Sequence, residues 1–315
     1  METVLTIRPA RPDDRPAMER VCAHTWEWGD YIPEVWDDWL ADQQGLPIVG
    51  ELEGRVVALS RIAFQASGQI WLEGMRVDPE SRRLGVAGQF LERSIALARE
   101  RGARVVRLGT SHTNTPVHKL TERAGMARVG SYQLLIADPL PGEPEPAVLP
   151  AGRAVDVRDF LHDSAVMAHT HGLYSVHWAW QELSPALADQ YLQADQAVAR
   201  LASDGRLASL AFLDPDPADG ELWISFIDGE AAALVELATA VRGHAARTGF
   251  EKVRVMLPDL DWLRGALGQA GYGPGDWEGE LWIFERWLAE GGAEPPAEPA
   301  AGTPESGAAG GDRDH

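Results

Sequence analysis

The segment Arg82-Arg83-Leu84-Gly85-Val86-Ala87-Gly88 joins charge, glycine and a helix start in one short run. Two guanidiniums precede two glycines. The run opens directly into a helical rhythm carried by Val86, Phe90, Leu91, Ile95 and Ala98. The first amides of a helix have no intrahelical partner and carry the positive end of its dipole. Gly85 and Gly88 let a phosphate approach that backbone, and Arg82 and Arg83 add charge. A basic segment this local, in a chain of net charge −20, points to a diphosphate ligand. No Gly-Lys-Ser/Thr follows, which excludes a P-loop in detail. A dinucleotide fold is disfavoured, because the loop comes after several strands rather than after the first.

Other reactive residues read more plainly. Asn114 precedes Thr-Pro and suits a helix N-cap. His169, His171 and His177 fit no common zinc spacing, and no cysteine or carboxylate completes a set nearby, so no metal is expected. Cys22, the single cysteine, lies in an apolar helical pattern and reads as buried and inert. The Trp-rich stretch with Trp26, Trp28, Trp36 and Trp39 reads as core packing. It also carries Asp30, Asp37 and Asp38, acids of the sign that attracts an amine.

The elements that hold these residues follow from pattern. Strands are expected at 4–8, 48–52, 56–64, 70–77, 105–108 and 132–136. Helices are expected at 12–23, from Val86 to Gly102, and at 116–123 before Gly125. Residues 137–152 carry prolines at 139, 141, 144, 146 and 150 and read as an extended linker. Beyond it, strands at 207–213, 222–227, 252–257 and 281–287 and helices at 231–247 and 262–269 replay the order of the first half. The expected domains are 1–137, a linker at 138–150, a second domain at 151–289, and a disordered tail at 290–315. The fold class is α/β with a mixed sheet, in two tandem copies.

The chain has 315 residues, 45% hydrophobic and 24% charged, ordinary for soluble globular protein. Its acidity argues against nucleic acid or an anionic membrane and favours a cationic amine as partner. With no signal-like start and no long apolar run, a cytoplasmic protein is expected.

The first half resembles the GNAT N-acetyltransferase superfamily. Arg82, Gly85 and Ala87 fit, in order, the family pattern of Gln or Arg, two residues, Gly, one residue, Gly or Ala. Asn114, Leu120 and Gly125-Met126 fit a second block at the usual separation. The similarity covers about residues 4–136. It implies acetyl-CoA as acyl donor, with its pyrophosphate on Arg82, Arg83, Leu84, Gly85, Val86, Ala87 and Gly88. Its pantetheine arm would pair with the strand segment Met75, Arg76 and Val77, which would splay from its neighbour, and Asn114 would contact the arm or hold the following helix. An amine would then attack the thioester directly. A carboxylate is useful as base in that step, and the family often places a Glu near position 73. By period 2, Glu73 shares a face with Trp71, Met75 and Val77.

The sequence departs from the family at Thr121, where a tyrosine usually serves as acid. The resemblance leaves water or Tyr132 as substitutes. In the second half, Asp228-Gly229-Glu230-Ala231 replaces the basic loop, and acids there repel a diphosphate. A degenerate copy is expected. The implied activity is acetyl transfer to a primary amine; the competing reading is a non-catalytic module that senses acyl-CoA or binds a protein.

Overall fold

The computed structural model describes residues 5–23, 25, 29–275, 277 and 279–288. Val4, Trp26, Trp28 and the tail at 290–315 lie outside the described residues. The N-terminal elements are β1 (Thr6–Pro9), α1 (Arg15–Cys22), α2 (Ile32–Ala41), β2 (Gly45–Leu52), β3 (Arg55–Gln65), β4 (Gln69–Val77), α3 (Val86–Glu100), β5 (Val105–Ser111), α4 (Thr115–Arg123) and β6 (Ala127–Ala137). The chain continues through β7 (Ala147–Val148), α5 (Ala154–Asp163), α6 (Ala165–His169), β8 (Leu173–Val176), β9 (Ala179–Glu182), α7 (Pro185–Gln193), β10 (Ala197–Leu201), β11 (Leu207–Asp216) and β12 (Glu221–Gly229). It closes with α8 (Ala231–Thr248), β13 (Lys252–Pro258), α9 (Asp261–Gln269), β14 (Gly273–Pro274) and β15 (Leu281–Trp287). The class is α/β, with a mixed sheet running through both halves.

The strand order is β1-β2-β3-β4-β5-β15-β6-β13-β12-β11-β10-β7, with β14 alongside β6. Each half has a run of four antiparallel strands, then a parallel step across a helix: β4 to β5 through α3, and β12 to β13 through α8. The hydrophobic stripe of α3 (Val86, Phe90, Leu91, Ile95 and Ala98) packs on Ile62, Ile70 and Leu72 of the sheet. The stripe of α8 (Leu234, Leu237, Ala238 and Val241) does the same for the second half. Gly249, at φ 82°, ends α8, a backbone angle that side chains with a Cβ resist.

The last strand of each half pairs with the other half. Sequence alone has 132–136 closing the first half and 281–287 closing the second. In the structure β15 lies along the whole of β5, from Leu281 opposite Ser111 to Trp287 opposite Val105. β6 pairs with β15 through its beginning and with β13 through its end, Ala137 standing opposite Val253. Period-2 patterning reveals that these stretches are strands but not which neighbour each takes.

The Pro-rich stretch docks on α8 and β10. Leu140 N–H donates to Arg242 O, Glu145 meets His244 and Arg247 of α8, and β7 adds an edge strand to β10. Trp36 and Trp39 of α2 are buried against Met18, Val21 and Leu59, which fulfils the core reading for these two tryptophans. No helix among the described residues is long and apolar enough to cross a membrane.

Candidate functional site

Glu73 sits where the sheet opens. The parallel pairing of β4 with β5 ends at Trp71 opposite Arg107, yet β4 runs on to Val77 and β5 to Ser111. Beyond that point β4 is held by β3 on one side only. Its other edge, along Met75, Arg76 and Val77, presents backbone to a wedge-shaped gap. An extended amide-bearing ligand can pair with such an edge as an added strand.

A bulge sets the direction of the side chains here. Leu59 stands opposite Arg76 and Arg61 opposite Glu73, so two residues of β4, Gly74 and Met75, face the single Ser60 of β3. Gly74 takes φ +64°, and Ser60 Oγ donates to the Glu73 carbonyl at 2.8 Å. A Cβ on Gly74 would lie 2.4 Å from Trp39 Cη2. The extra residue breaks the period. Glu73 therefore shares its face with Trp71 and Arg76. Met75 and Val77 turn to the other face and pack against the α3 cluster, which corrects the sequence-derived grouping.

Glu73 is half-buried and ion-paired to Arg61, whose other arm holds Asp42 at the end of α2. The Arg61 guanidinium lies 5.8 Å from the Trp39 ring centroid. Burial pushes the Glu73 carboxyl up, Arg61 opposes this, and nearby Asp42 adds to the rise. The result is a carboxylate that is a better proton acceptor than a solvated one. Sequence reasoning missed Arg61 and Asp42. The isolated Gly74 inside a strand pattern was the available signal for the bulge that brings Arg61 opposite Glu73.

Arg76, also a residue of the expected pantetheine segment, directs its side chain elsewhere. Its Nε donates to Asp30 Oδ2 at 2.7 Å, and its guanidinium lies over Tyr31. Asp30 is thus engaged by Arg76, while Asp37 pairs with Arg15 on an exposed surface. Only the backbone of Arg76 remains on the open edge.

Past Val77, Asp78 caps a single 3-10 turn by accepting from Glu80 N–H at 3.1 Å. Arg82, Arg83, Leu84 and Gly85 follow, all exposed, with Arg83 at φ 63° and Gly85 at φ 76°. Gly85 is the N-cap of α3 and supplies no side-chain cap. The first helical bond runs from Gln89 N–H to Gly85 O, so the amides of Val86, Ala87 and Gly88 have no intrahelical acceptor. Neither Arg82 nor Arg83 forms an ion pair among the described residues, although acids outnumber bases in the chain. This loop and the free edge of β4 lie on consecutive stretches of chain beside one gap. They fit a diphosphate joined to an extended amide arm.

Asn114 occupies the N-cap position of α4, but its Nδ2 donates to Thr110 Oγ1 at 3.0 Å instead of capping the helix. Thr121 is fully buried, and its hydroxyl donates to His118 O at 2.8 Å, so it cannot meet a leaving group. Tyr132 is 3% exposed, burial pushes its hydroxyl up, and that hydroxyl has no hydrogen-bond partner among the described residues. It packs against Trp180, which in turn lies 5.7 Å from Trp71. Cys22 is buried, its thiol pushed up to about 12 by desolvation first, which keeps it unreactive. His177 stacks on Trp223, and no group of three metal-ligating side chains converges among the described residues.

The second half opens in the same way but differs at the gap. The pairing of β12 with β13 ends at Ile224 opposite Val255, and both strands continue. Phe226, Leu263, Val166 and Tyr132 close the space between the strands to a void of about 20 Å³, while the start of α8 borders a separate open cavity of about 920 Å³ whose charged lining includes Asp156, Asp159, Asp163 and Asp204. Asp228 is buried, accepting from Ser164 Oγ, from Val166 N–H at 3.2 Å and from Gly229 N–H at 2.7 Å. Glu230 occupies the N-cap position of α8, without a side-chain cap, where the first half has its basic loop, and Arg206 pairs with it from outside.

Residues 15–126 match the family model described as Acetyltransferase (GNAT) family. A histidine N-acetyltransferase of Oreochromis niloticus is 36% identical over 73 residues, which is 23% of this chain and 22% of that relative's length. Among solved structures, a GCN5-related N-acetyltransferase from Sphaerobacter thermophilus aligns at TM-score 0.62 and 14% identity, covering 90% of this chain and 95% of that one. A tandem GNAT protein from the clavulanic acid biosynthesis pathway aligns at TM-score 0.53 and 13% identity, over 90% and 98% of the two chains. At these identities the two structures share the fold, and they share it across both halves.

Proposed function

Since residues 15–126 belong to the acetyltransferase (GNAT) family and the whole chain has a tandem form of its fold, we propose that the protein is an acetyl-CoA-dependent N-acetyltransferase that uses its N-terminal site. The observation that carries this reading is the coincidence of three features at one gap. These are the unpaired edge of β4, the bare N-terminus of α3 with two unpaired arginines, and a half-buried carboxylate at Glu73.

When bound, the donor supplies an activated acetyl group that passes to the amine as a C–N bond forms and the C–S bond breaks. The chain's own residues do the rest. The amides of Val86 to Gly88 and the side chains of Arg82 and Arg83 hold the diphosphate. The backbone of Met75, Arg76 and Val77 aligns the arm, and Asn114 borders it. Glu73 takes the proton that the attacking amine must lose, directly or through one water. With Thr121 buried, no side chain on α4 is required as acid, because a thiolate leaves readily. The gap in the second half is filled and its helix start is acidic, which supports a degenerate copy with no donor of its own.

The acceptor is a small amine, and amino acids come first among candidates because curated relatives over part of this chain are histidine N-acetyltransferases. Thiol release from acetyl-CoA over a panel of amines, with histidine included, tests the reading together with calorimetric titration of acetyl-CoA. Absence of donor binding by the intact protein would refute it. The burial of Thr121 favours a second reading, an acyl-CoA-sensing module. Binding without turnover on any amine would select it.

A further inference from the structure

The gap that receives the donor in this reading has two walls. One is β4. The other is β5 with the turn that follows it, residues 112–114, leading to Asn114. That turn is fastened by residues from the far end of the chain. His112 N–H donates to Glu280 O at 2.8 Å, and Glu280 N–H donates to His112 Nδ1 at 3.1 Å, a reciprocal pair 168 residues apart in sequence. The Glu280 carboxylate is in turn fixed by two donors on the same oxygen, Ser131 Oγ at 2.8 Å and Trp282 Nε1 at 3.0 Å. Trp282 stacks on His118 with ring centroids 4.7 Å apart, and His118 Nε2 lies 3.0 Å from Ser111 O. The ring of contacts closes on itself: Glu280 to His112, Ser111 to His118, His118 to Trp282, and Trp282 back to Glu280.

We propose that Glu280 is a positioning residue of the donor site: it holds the turn between β5 and α4, and with it Asn114, in the place the donor's arm requires. The inference rests on the N-terminal site being the donor site. The turn's short polar residues bond one another, Ser111 Oγ with Thr113 Oγ1 at 2.9 Å and Asn114 N–H to Ser111 O at 2.9 Å, but Thr113 is exposed and the turn has little apolar packing to hold it against the rest of the fold. The network substitutes for packing. Because both donors address one carboxylate oxygen, an amide oxygen in the same place can accept from both, whereas an alanine keeps the two main-chain bonds to His112 but leaves Trp282 Nε1 and Ser131 Oγ without the partner that fixes them. Glu280 does not touch the acceptor face that carries Glu73, Arg61 and Asp42, so its effect should fall on the donor.

The test compares Glu280→Ala, Glu280→Gln and the intact protein. Hydrogen exchange without ligand reads the turn itself. Amides of residues 112–114 should exchange faster in Glu280→Ala and return toward the intact rate in Glu280→Gln. Titration and kinetics then read the site. Glu280→Ala should weaken acetyl-CoA binding by about tenfold or more while the acceptor KM stays unchanged, and Glu280→Gln should recover most of it. Where Glu280→Ala folds poorly, Ser131→Ala removes one donor only and should show the same split with a smaller loss. Unchanged exchange at 112–114 overturns the proposal, as does an equal rise in both KM values. Faster exchange in a protein that binds no acetyl-CoA at all leaves the tether standing and removes the donor-site reading instead.

Discussion

Arg107 and Glu285 stand opposite one another on β5 and β15, 178 residues apart in sequence, joined by Nε to Oε2 at 2.7 Å and Nη2 to Oε2 at 2.6 Å. Arg107 is 1% exposed and Glu285 is 7% exposed. The same guanidinium donates to Gln69 of β4 at 2.6 Å and to Glu182 of β9 at 3.0 Å. One arginine of the first half thus gathers three acceptors, two of them carboxylates from the second, at the point where the β4–β5 pairing stops.

Glu285→Ala leaves that guanidinium buried with one of its three acceptors, the most buried carboxylate, gone. Breaking a buried pair from one side costs about 3–5 kcal/mol. Chemical denaturation should show this loss as a single transition, because the network ties the halves together. Two separate transitions in the intact protein would contradict the coupling.

Glu73→Gln should lower kcat by about a hundredfold or more at neutral pH, with acetyl-CoA affinity little changed. Glu73 acts deprotonated, so kcat/KM should fall as pH drops through its raised pKa. Arg61 lowers that pKa, so Arg61→Met should move the acid limb to higher pH. The stability sign is opposite to that of an ordinary paired carboxylate. A pKa raised in the fold gives stability at low pH that is lost as pH rises through the folded pKa. Denaturation of Glu73→Gln across pH should therefore lack this loss.

Arg82→Ala combined with Arg83→Ala should weaken acetyl-CoA binding by about tenfold or more, and reduce its sensitivity to salt. Titration at two ionic strengths measures both. Equal affinity and an equal salt slope would assign the diphosphate elsewhere.

Gly74→Ala meets both a left-handed backbone angle and the Trp39 ring. The strain should cost about 1–3 kcal/mol. Thermal denaturation reads the cost, and a changed acceptor KM would show that the bulge aims Glu73. An unchanged KM would confine the bulge to stability.

The loop proposed to hold the donor was legible in the sequence because everything it needs is local: two arginines, two glycines and a helix start within seven residues. Glu73 was legible as a carboxylate on the right strand, but its face was not. The bulge at Gly74 inverts the side chains after it, and only the register with β3 reveals that Arg61 is its partner. The elements themselves follow from periodicity. The destination of 281–287 does not, because β5 offers an edge that an antiparallel strand of either half could cover. The match of Arg107 to Glu285 and of His112 to Glu280 across such long separations is a tertiary fact with no local signature.

The exchange of last strands also fixes an order of events during synthesis. When residue 137 has left the ribosome, the first half has every element of its helix-and-strand order, yet β5 still has an open edge. It stays open until β15 is made, which starts at Leu281, 144 residues after β6 ends at Ala137. For that interval the nascent chain carries an unsatisfied strand edge and a buried-type arginine without its glutamate. Its long-range pairing makes the final closure slow in any chain. The wall that β5 gives to the proposed donor site therefore waits for a strand made near the end of synthesis, although its own sequence is made early.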